Sequence, residues 1–262
     1  MSQVGELGSW RRLGCVQANF HLGFFLVVGL ASGLRADPSL TLDELIKRNT
    51  EAMGGRAKIE SVQTVEVNLH IKDPDFEVDG LYCAARPGRM RIDIMAAGKR
   101  VYMERFDGEK GCQWNGKMEK EEGATPTAAL RHGVELPGNL FGLHEMQKRG
   151  HRLAFAGREK IDDVEYYVLH VAFADGDETS LFVDPRSWRI TRRREIRALH
   201  PDVDPTKTTI ESRTSDWRQV EGYWFAFAGE DVDLKTGKVL ETSAVKEIRI
   251  NPPIDPAIFT RL

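Results

Sequence analysis

The chain lacks the signatures by which catalytic and phosphate-binding proteins usually declare themselves. No Gly-x-Ser-x-Gly seats a nucleophile on a strand-to-helix turn, and no glycine loop closes on Gly-Lys-Ser/Thr to cradle phosphates. His144-Glu145-Met146-Gln147-Lys148 stops one residue short of His-Glu-x-x-His. That removes the second imidazole a zinc helix needs. The seven histidines show no other paired spacing, and His70 and His170 fall in strand patterns where they read as structural. Asp175-Gly176-Asp177 and His200-Pro201-Asp202-Val203-Asp204-Pro205 offer carboxylates without the full spacing of a calcium loop, so both read as turn or loop. No catalytic residue, cofactor or metal is therefore expected.

Cysteine is scarce. Of the three, Cys15 lies in a leading segment, which leaves Cys83 and Cys112. In an oxidising compartment such a pair invites a disulfide. Counting strands places them on the second and fifth of a meander, three steps of about 4.8 Å apart. A bridge needs Cα atoms about 5.5 Å apart, so two separate thiols are expected.

A net excess of basic charge is lacking too. The formal net charge is -3, and Arg11, Arg12 and Arg35 against Glu6 give residues 1–36 a charge of +2, leaving about -5 on the remainder. That balance argues against a nucleic-acid partner. Arg192-Arg193-Arg194 does not reverse it, because neighbours on a strand point to opposite faces. The run reads as a solvated strand end.

What is present begins with an export signal. Arg11 and Arg12 precede the apolar run Phe20–Ala31, and small residues follow. This is the order of a secretory signal peptide over residues 1–36, cut between 31 and 36. The run is shorter than the roughly 20 residues a spanning helix needs, so periplasmic release is expected, with membrane association only if the segment is retained.

The rest, 37–262, reads as one domain. Thr41-Leu42-Asp43-Glu44 is a capping box. It opens a helix with Leu42, Leu45, Ile46, Asn49 and Met53 on one face, stopped by Gly54-Gly55. A short helical piece over Arg56–Glu60 follows. Then Val65, Val67, Leu69 and Ile71 alternate with Glu66, Asn68, His70 and Lys72, the period of a half-buried strand. Further strands run from Phe76 to Arg86, Arg89 to Ala96, Lys99 to Phe106 and Lys110 to Trp114, joined by short turns such as Asp107-Gly108. Between Thr125 and Gly150 the period changes to two short helical pieces, Thr125–Leu130 and Leu140–Met146. Strands resume at His151 and pass through Val164–Glu195, a meander set by Ala174-Asp175-Gly176-Asp177 and Asp184-Pro185-Arg186-Ser187. They end at Ile250, before a proline-set tail pinned by Phe259. About eleven antiparallel strands must curl or split.

Several of these elements resemble the outer-membrane lipoprotein-sorting protein family, the LolA/LolB-like carriers of Gram-negative periplasms. The resemblance is carried by the capped helix ending Glu51-Ala52-Met53-Gly54-Gly55, the Asp107-Gly108 hairpin leading to Trp114, and Asp163–Leu169 with the Phe182-Val183-Asp184-Pro185 turn. Val220–Phe225 and the closing Ile250–Phe259 complete it. It implies a mainly β fold: a strongly curved antiparallel sheet, or incomplete barrel, with helices over its concave face and an apolar cavity for acyl chains. The apolar positions then expected to line the cavity are Val65, Val67, Leu69, Ile92, Ile94 and Met103, with Phe141, Leu143 and Met146 in the helical cover. Phe173, Phe182, Trp224 and Phe225 complete the set, and Trp114, Trp188 and Trp217 are further aromatic candidates. The resemblance implies a monomeric binding protein for lipid or lipoprotein acyl chains, with no catalytic step. The alternative is an envelope interaction or stress-sensing protein that uses the same fold to bind a protein.

Overall fold

The computed structural model describes residues 40–197 and 206–261. The expected signal segment, Cys15 with it, and the Pro-Asp stretch at 200–205 lie outside the described residues. Thr41 caps α1 (Leu42–Ala52), its hydroxyl accepting the Glu44 N–H at 3.2 Å. Gly54, at φ +125°, turns the chain into α2 (Arg56–Ser61). A side chain there would overlap the Gly222 carbonyl oxygen, so only glycine meets both demands.

Six strands follow: β1 (Thr64–Lys72), β2 (Glu77–Ala85), β3 (Arg89–Ala96), β4 (Lys99–Phe106), β5 (Gly111–Trp114) and β6 (Glu119–Glu121). After α3 (Ala124–Glu135) come β7 (Arg152–Ile161), β8 (Val164–Ala172), β9 (Glu178–Val183), β10 (Ile190–Arg197), β11 (Thr208–Val220), β12 (Tyr223–Asp233) and β13 (Val239–Ile250). All thirteen form one antiparallel sheet in the order β6-β5-β4-β3-β2-β1-β13-β12-β11-β10-β9-β8-β7. It is open, with β6 and β7 as its edges. Two meanders therefore meet at the β1–β13 pair, and the segment from β6 to β7 must cross from one edge of the sheet to the other. Strand β6, Glu119-Lys120-Glu121, carries no apolar alternation and gave no signal in the sequence.

Register sorts the side chains into two faces. Val65, Val67, Leu69 and Ile71 of β1 share the inner face with Ala84, Tyr82, Gly80 and Val78 of β2. Through β2 they share it with Met90, Ile92 and Ile94 of β3. The helices lie on this face and split its core in two. One cluster joins Met53, Ile59, Val62, Leu140 and Phe141 to Val65, Val67, Met90, Phe106, Tyr223 and Phe225. The other joins Leu45, Ile46, Leu143 and Met146 to Tyr167, Leu169, Val171, Phe173, Leu181 and Val183.

The outer face is not simply wet. The tail folds over β2 to β4 there: Phe259 is buried with Cys83 and Ala85, and Arg91 Nη1 donates to the Ile258 and Arg261 carbonyls at 3.0 and 2.9 Å. Cys83 and Cys112 are free thiols on β2 and β5, with β3 and β4 between them. The arginine run also departs from the solvated strand end expected of it. Arg192 Nη1 and Arg194 Nε each donate to Glu211 at 2.6 Å, and Arg213 Nε does so at 2.7 Å. Glu211 is 0% exposed. The alternation that breaks up a basic patch brings Arg192 and Arg194 to one face, where β11 supplies their counter-charge. No described helix is long and apolar enough to cross a membrane.

Candidate ligand-binding trough on the inner face

The helices cover only one half of the inner face, and beyond it burial falls along β1, β3 and β13, while Val78 of β2 and Ile210 of β11 stay buried. Along β1, Val65 is 0% and Val67 7% exposed, whereas Leu69 and Ile71 are half-buried. Along β3, Met90 is buried, while Ile92 and Ile94 are half-buried. On β13, Ile250 and Ile248 are buried and Val245 is not. Gly80 lies opposite Leu69, and a Cβ there would come within 3.0 Å of the leucine's Cδ2. The absent side chain lets Leu69 lie across β2. Leu69, Tyr82, Ile92 and Val245 rest against the helix-covered cluster and continue it as an apolar floor.

The other wall of this open half is polar. Arg193, opposite Leu181, and Ser212, opposite Arg193, face inward on β10 and β11. Arg197 donates from Nε to Glu195 and from Nη2 to Asp231, each at 2.6 Å. Tyr102, Glu104 and Gln113 form a further polar group on β4 and β5, the tyrosine hydroxyl donating to Glu104 at 2.8 Å. The trough thus has an apolar floor on β1 to β3 and charged or hydroxylated sides.

The structure divides the sequence-predicted lining residues into four groups. Val65, Val67, Phe141 and Phe225 are buried under the helices in the first inner cluster. Leu143, Met146 and Phe173 are buried in the second. Leu69, Ile92 and Ile94 stand at the open end of the inner face. Met103 and Phe182 are on the outer face: Met103 is paired with Asp93 and Trp114, and Phe182 is packed with Tyr166 and Val168. Trp224, like Leu69 and Ile92, is half-buried against the first inner cluster, as is Trp217; Trp224 lies under the Arg189 guanidinium at 3.7 Å, with Trp217 at 5.5 Å from the same group. Trp188, by contrast, stacks on Tyr167 in the second inner cluster. The split of Met103 from Tyr102 and Phe106 follows from β4 itself, where both parities carry apolar residues. Only its register with β3 decides which side faces in.

Two hollows on the helical side are lined largely by charge. One, of about 400 Å³, lies among Glu60, Arg86, Phe141, Glu145, Lys148 and Arg149. Arg86 is fully engaged there, donating to Glu145 Oε1 at 2.7 Å and to the Val62 and Leu140 carbonyls. Burial pushes the Glu145 carboxyl up, but hydrogen bonds from Arg86 and the Gly142 N–H outweigh it and hold the group below the ordinary carboxylate range. Arg86 therefore ties α2 to the 140–145 segment, and sequence reasoning missed it because its partners are carbonyls. The second hollow, of about 570 Å³, has His144 in its lining with Lys47, Arg56 and Lys148. Burial pushes the His144 imidazole below its usual value.

No family model matches the chain, and no curated protein does. Solved structures do. A LolA superfamily protein from Nitrosomonas europaea is 14% identical, with 82% of this chain and 96% of that one covered at a TM-score of 0.53. A DUF1329 family protein from Desulfovibrio piger is 11% identical, with 83% and 96% covered at 0.54. An outer membrane lipoprotein-sorting protein domain from Vibrio parahaemolyticus is 11% identical, with 82% and 95% covered at 0.53. The chain shares their fold, as its sequence motifs led us to expect.

Proposed function

We propose that the protein is a non-catalytic periplasmic carrier that holds the acyl chains of a lipoprotein, or of another lipid, along the open half of the inner trough. The burial gradient carries this reading. The apolar floor of Leu69, Ile71, Ile92, Ile94 and Val245 continues past the helices that cover its other half. Covering such a floor yields about 0.8 kcal/mol for each methylene buried, so an acyl chain binds without a covalent step. The charged wall at Arg193, Glu195, Arg197 and Asp231 suits a polar head group at the chain's end. The fold shared with a lipoprotein-sorting domain supports the same conclusion.

The test uses the full-length chain, leader included, purified from the envelope of a Gram-negative host and examined by native mass spectrometry and lipid extraction. One lipid per chain is expected. Ile92→Trp should lower binding of a fluorescent fatty acid at least tenfold while the melting temperature holds. Protein that is free of lipid and binds no fatty acid would refute the proposal. A second reading, binding of an envelope protein, is favoured by Arg189 lying against both Trp217 and Trp224. Aromatic and arginine side chains of this kind dominate protein interfaces. It predicts a captured partner whose binding survives Ile92→Trp and is lost in Trp224→Ala.

A further inference from the structure

The segment that crosses the inner face from β6 to β7 is fastened at both ends. Near its start, the Thr127 hydroxyl of α3 accepts the Gly111 N–H at 3.3 Å, and Leu130 and Val134 pack on the first inner cluster. At its other end, the last turns of α3 bring Arg131 and His132 against the turn between β8 and β9. His132 Nε2 lies 2.8 Å from Asp175 Oδ2, and Nδ1 lies 3.8 Å from Asp177 Oδ2. The ring stacks on Phe173 at 3.9 Å and 14°. A second imidazole, His151, meets the same Phe173 edge-on at 5.3 Å. It is 4% exposed, and neither of its ring nitrogens has a hydrogen-bond partner, Glu135 Oε2 standing 3.4 Å from Nε2.

We infer that His132, Asp175 and Asp177 form a zinc site that clasps α3 to the β8–β9 rim of the sheet. One donor atom from each of the three lies within 4.8 Å of the other two. Zinc draws imidazole nitrogen and carboxylate oxygen to about 2.0–2.2 Å. Asp177 reaches that geometry by rotating about its side chain, which is 70% exposed and free to turn. The stacked Phe173 fixes the His132 ring, and Asp175 swings off it, opening their 2.8 Å contact to about 3.3 Å so that the metal enters between them. Two carboxylates neutralise the dication. Arg131, 3.6 Å from Asp175 Oδ2, is the competing charge that zinc displaces. Metal entry requires a free nitrogen lone pair on His132 and ionised carboxylates. Water completes the coordination sphere. Sequence spacing gave no warning, because His132 and Asp175 are 43 residues apart and only the crossing of α3 brings them together.

The clasp stands independently of the carrier reading, and its test reads metal alone. Untagged full-length protein stripped with EDTA is titrated with Zn²⁺ by calorimetry, and with Co²⁺ by visible absorption. One equivalent should bind. His132→Ala and Asp177→Asn should each weaken binding at least tenfold, and Asp177→Asn, at an exposed position, should keep the unfolding midpoint measured in EDTA. His70→Ala should leave binding unchanged, although His70 lies 2.9 Å from Asp79 and 2.8 Å from Glu77 and is the natural competitor. Absence of binding, or binding that survives His132→Ala or disappears with His70→Ala, would overturn the assignment.

Discussion

Removing the Glu211 carboxylate tests whether the outer face is held by charge or merely decorated with it. The side chain is 0% exposed and accepts three charge-assisted hydrogen bonds, from Arg192, Arg194 and Arg213. Bonds of this kind contribute about 1.5–3 kcal/mol each when a charge is involved. The net cost of Glu211→Ala is smaller than their sum, because all three arginines keep another acceptor, Arg213 through Glu230 at 3.1 Å. Arg194 Nη1 donates to Glu159 at 2.6 Å, and Arg192 Nη2 reaches Asp162 at 3.2 Å. Arg213 is already 39% exposed. What remains is the penalty of leaving partly buried guanidiniums around an empty centre, and breaking one partner out of a buried ion group costs about 3–5 kcal/mol. We expect the lower end, about 3 kcal/mol. Urea unfolding followed by tryptophan fluorescence should show the midpoint falling by about 1–2 M with an unchanged slope. Arg213→Ala, which removes an exposed partner, should cost about 1 kcal/mol or less. A loss below about 1 kcal/mol for Glu211→Ala would show that the cluster does not hold β10 to β11, and the reasoning would fail.

The same carboxylate sets a pH dependence. Burial pushes it up, but the bonds from Arg213, Arg194 and Arg192 outweigh burial and hold it below the ordinary carboxylate range. Its stabilisation is therefore complete above the unfolded carboxylate pKa and is lost as pH falls through the lower folded value, a loss that Glu211→Gln should remove from the urea midpoint measured between about pH 5 and 2. His144 acts in a higher window. Burial lowers its pKa, so the unfolded chain takes up the proton first, and stability should fall as pH drops from about 6.5 towards the folded value. His144→Gln should flatten that part of the profile, and an unchanged slope would contradict it. Gly54→Ala places a side chain at φ +125° against the Gly222 carbonyl, and thermal unfolding should show a loss of at least about 1–3 kcal/mol.

The fold was largely legible because most of its devices are local. Thr41 caps its helix through a residue three positions on, and Asp184 accepts the Arg186 and Ser187 N–H groups in the turn that its Pro185 announces. The β1 alternation assigns Val65 to Ile71 to one face without any knowledge of neighbours. The site was less legible, because facing is a property of register. Met103 and Tyr102 are both plausible inner residues of β4 until pairing with β3 places Met103 beside Asp93. Phe173 and Phe182 are both buried, yet they stand in different clusters on opposite faces. Aromatic content on both parities of a strand cannot say which side a helix covers.

The two faces of the sheet solve one problem in different ways, and this bears on where a ligand fits. An open sheet of thirteen strands exposes two surfaces, and a small domain cannot cover both with helices. On the outer face the sequence meets this with the tail under Phe259 and with arginines laid over Tyr166 and Phe182, their charges balanced by Glu211, Glu159 and Asp162. That surface is satisfied as it stands, because each guanidinium on Glu211 has its acceptor and covers an apolar ring or strand with its stem. The inner face is treated differently. Helices bury its lower half, and the upper half keeps Leu69, Ile92, Ile94 and Val245 half-buried with no arginine or tail drawn across them among the described residues. A sequence able to cover apolar strands with charged side chains on one side leaves them bare on the other. An apolar partner for the inner face is therefore best sought outside the described residues.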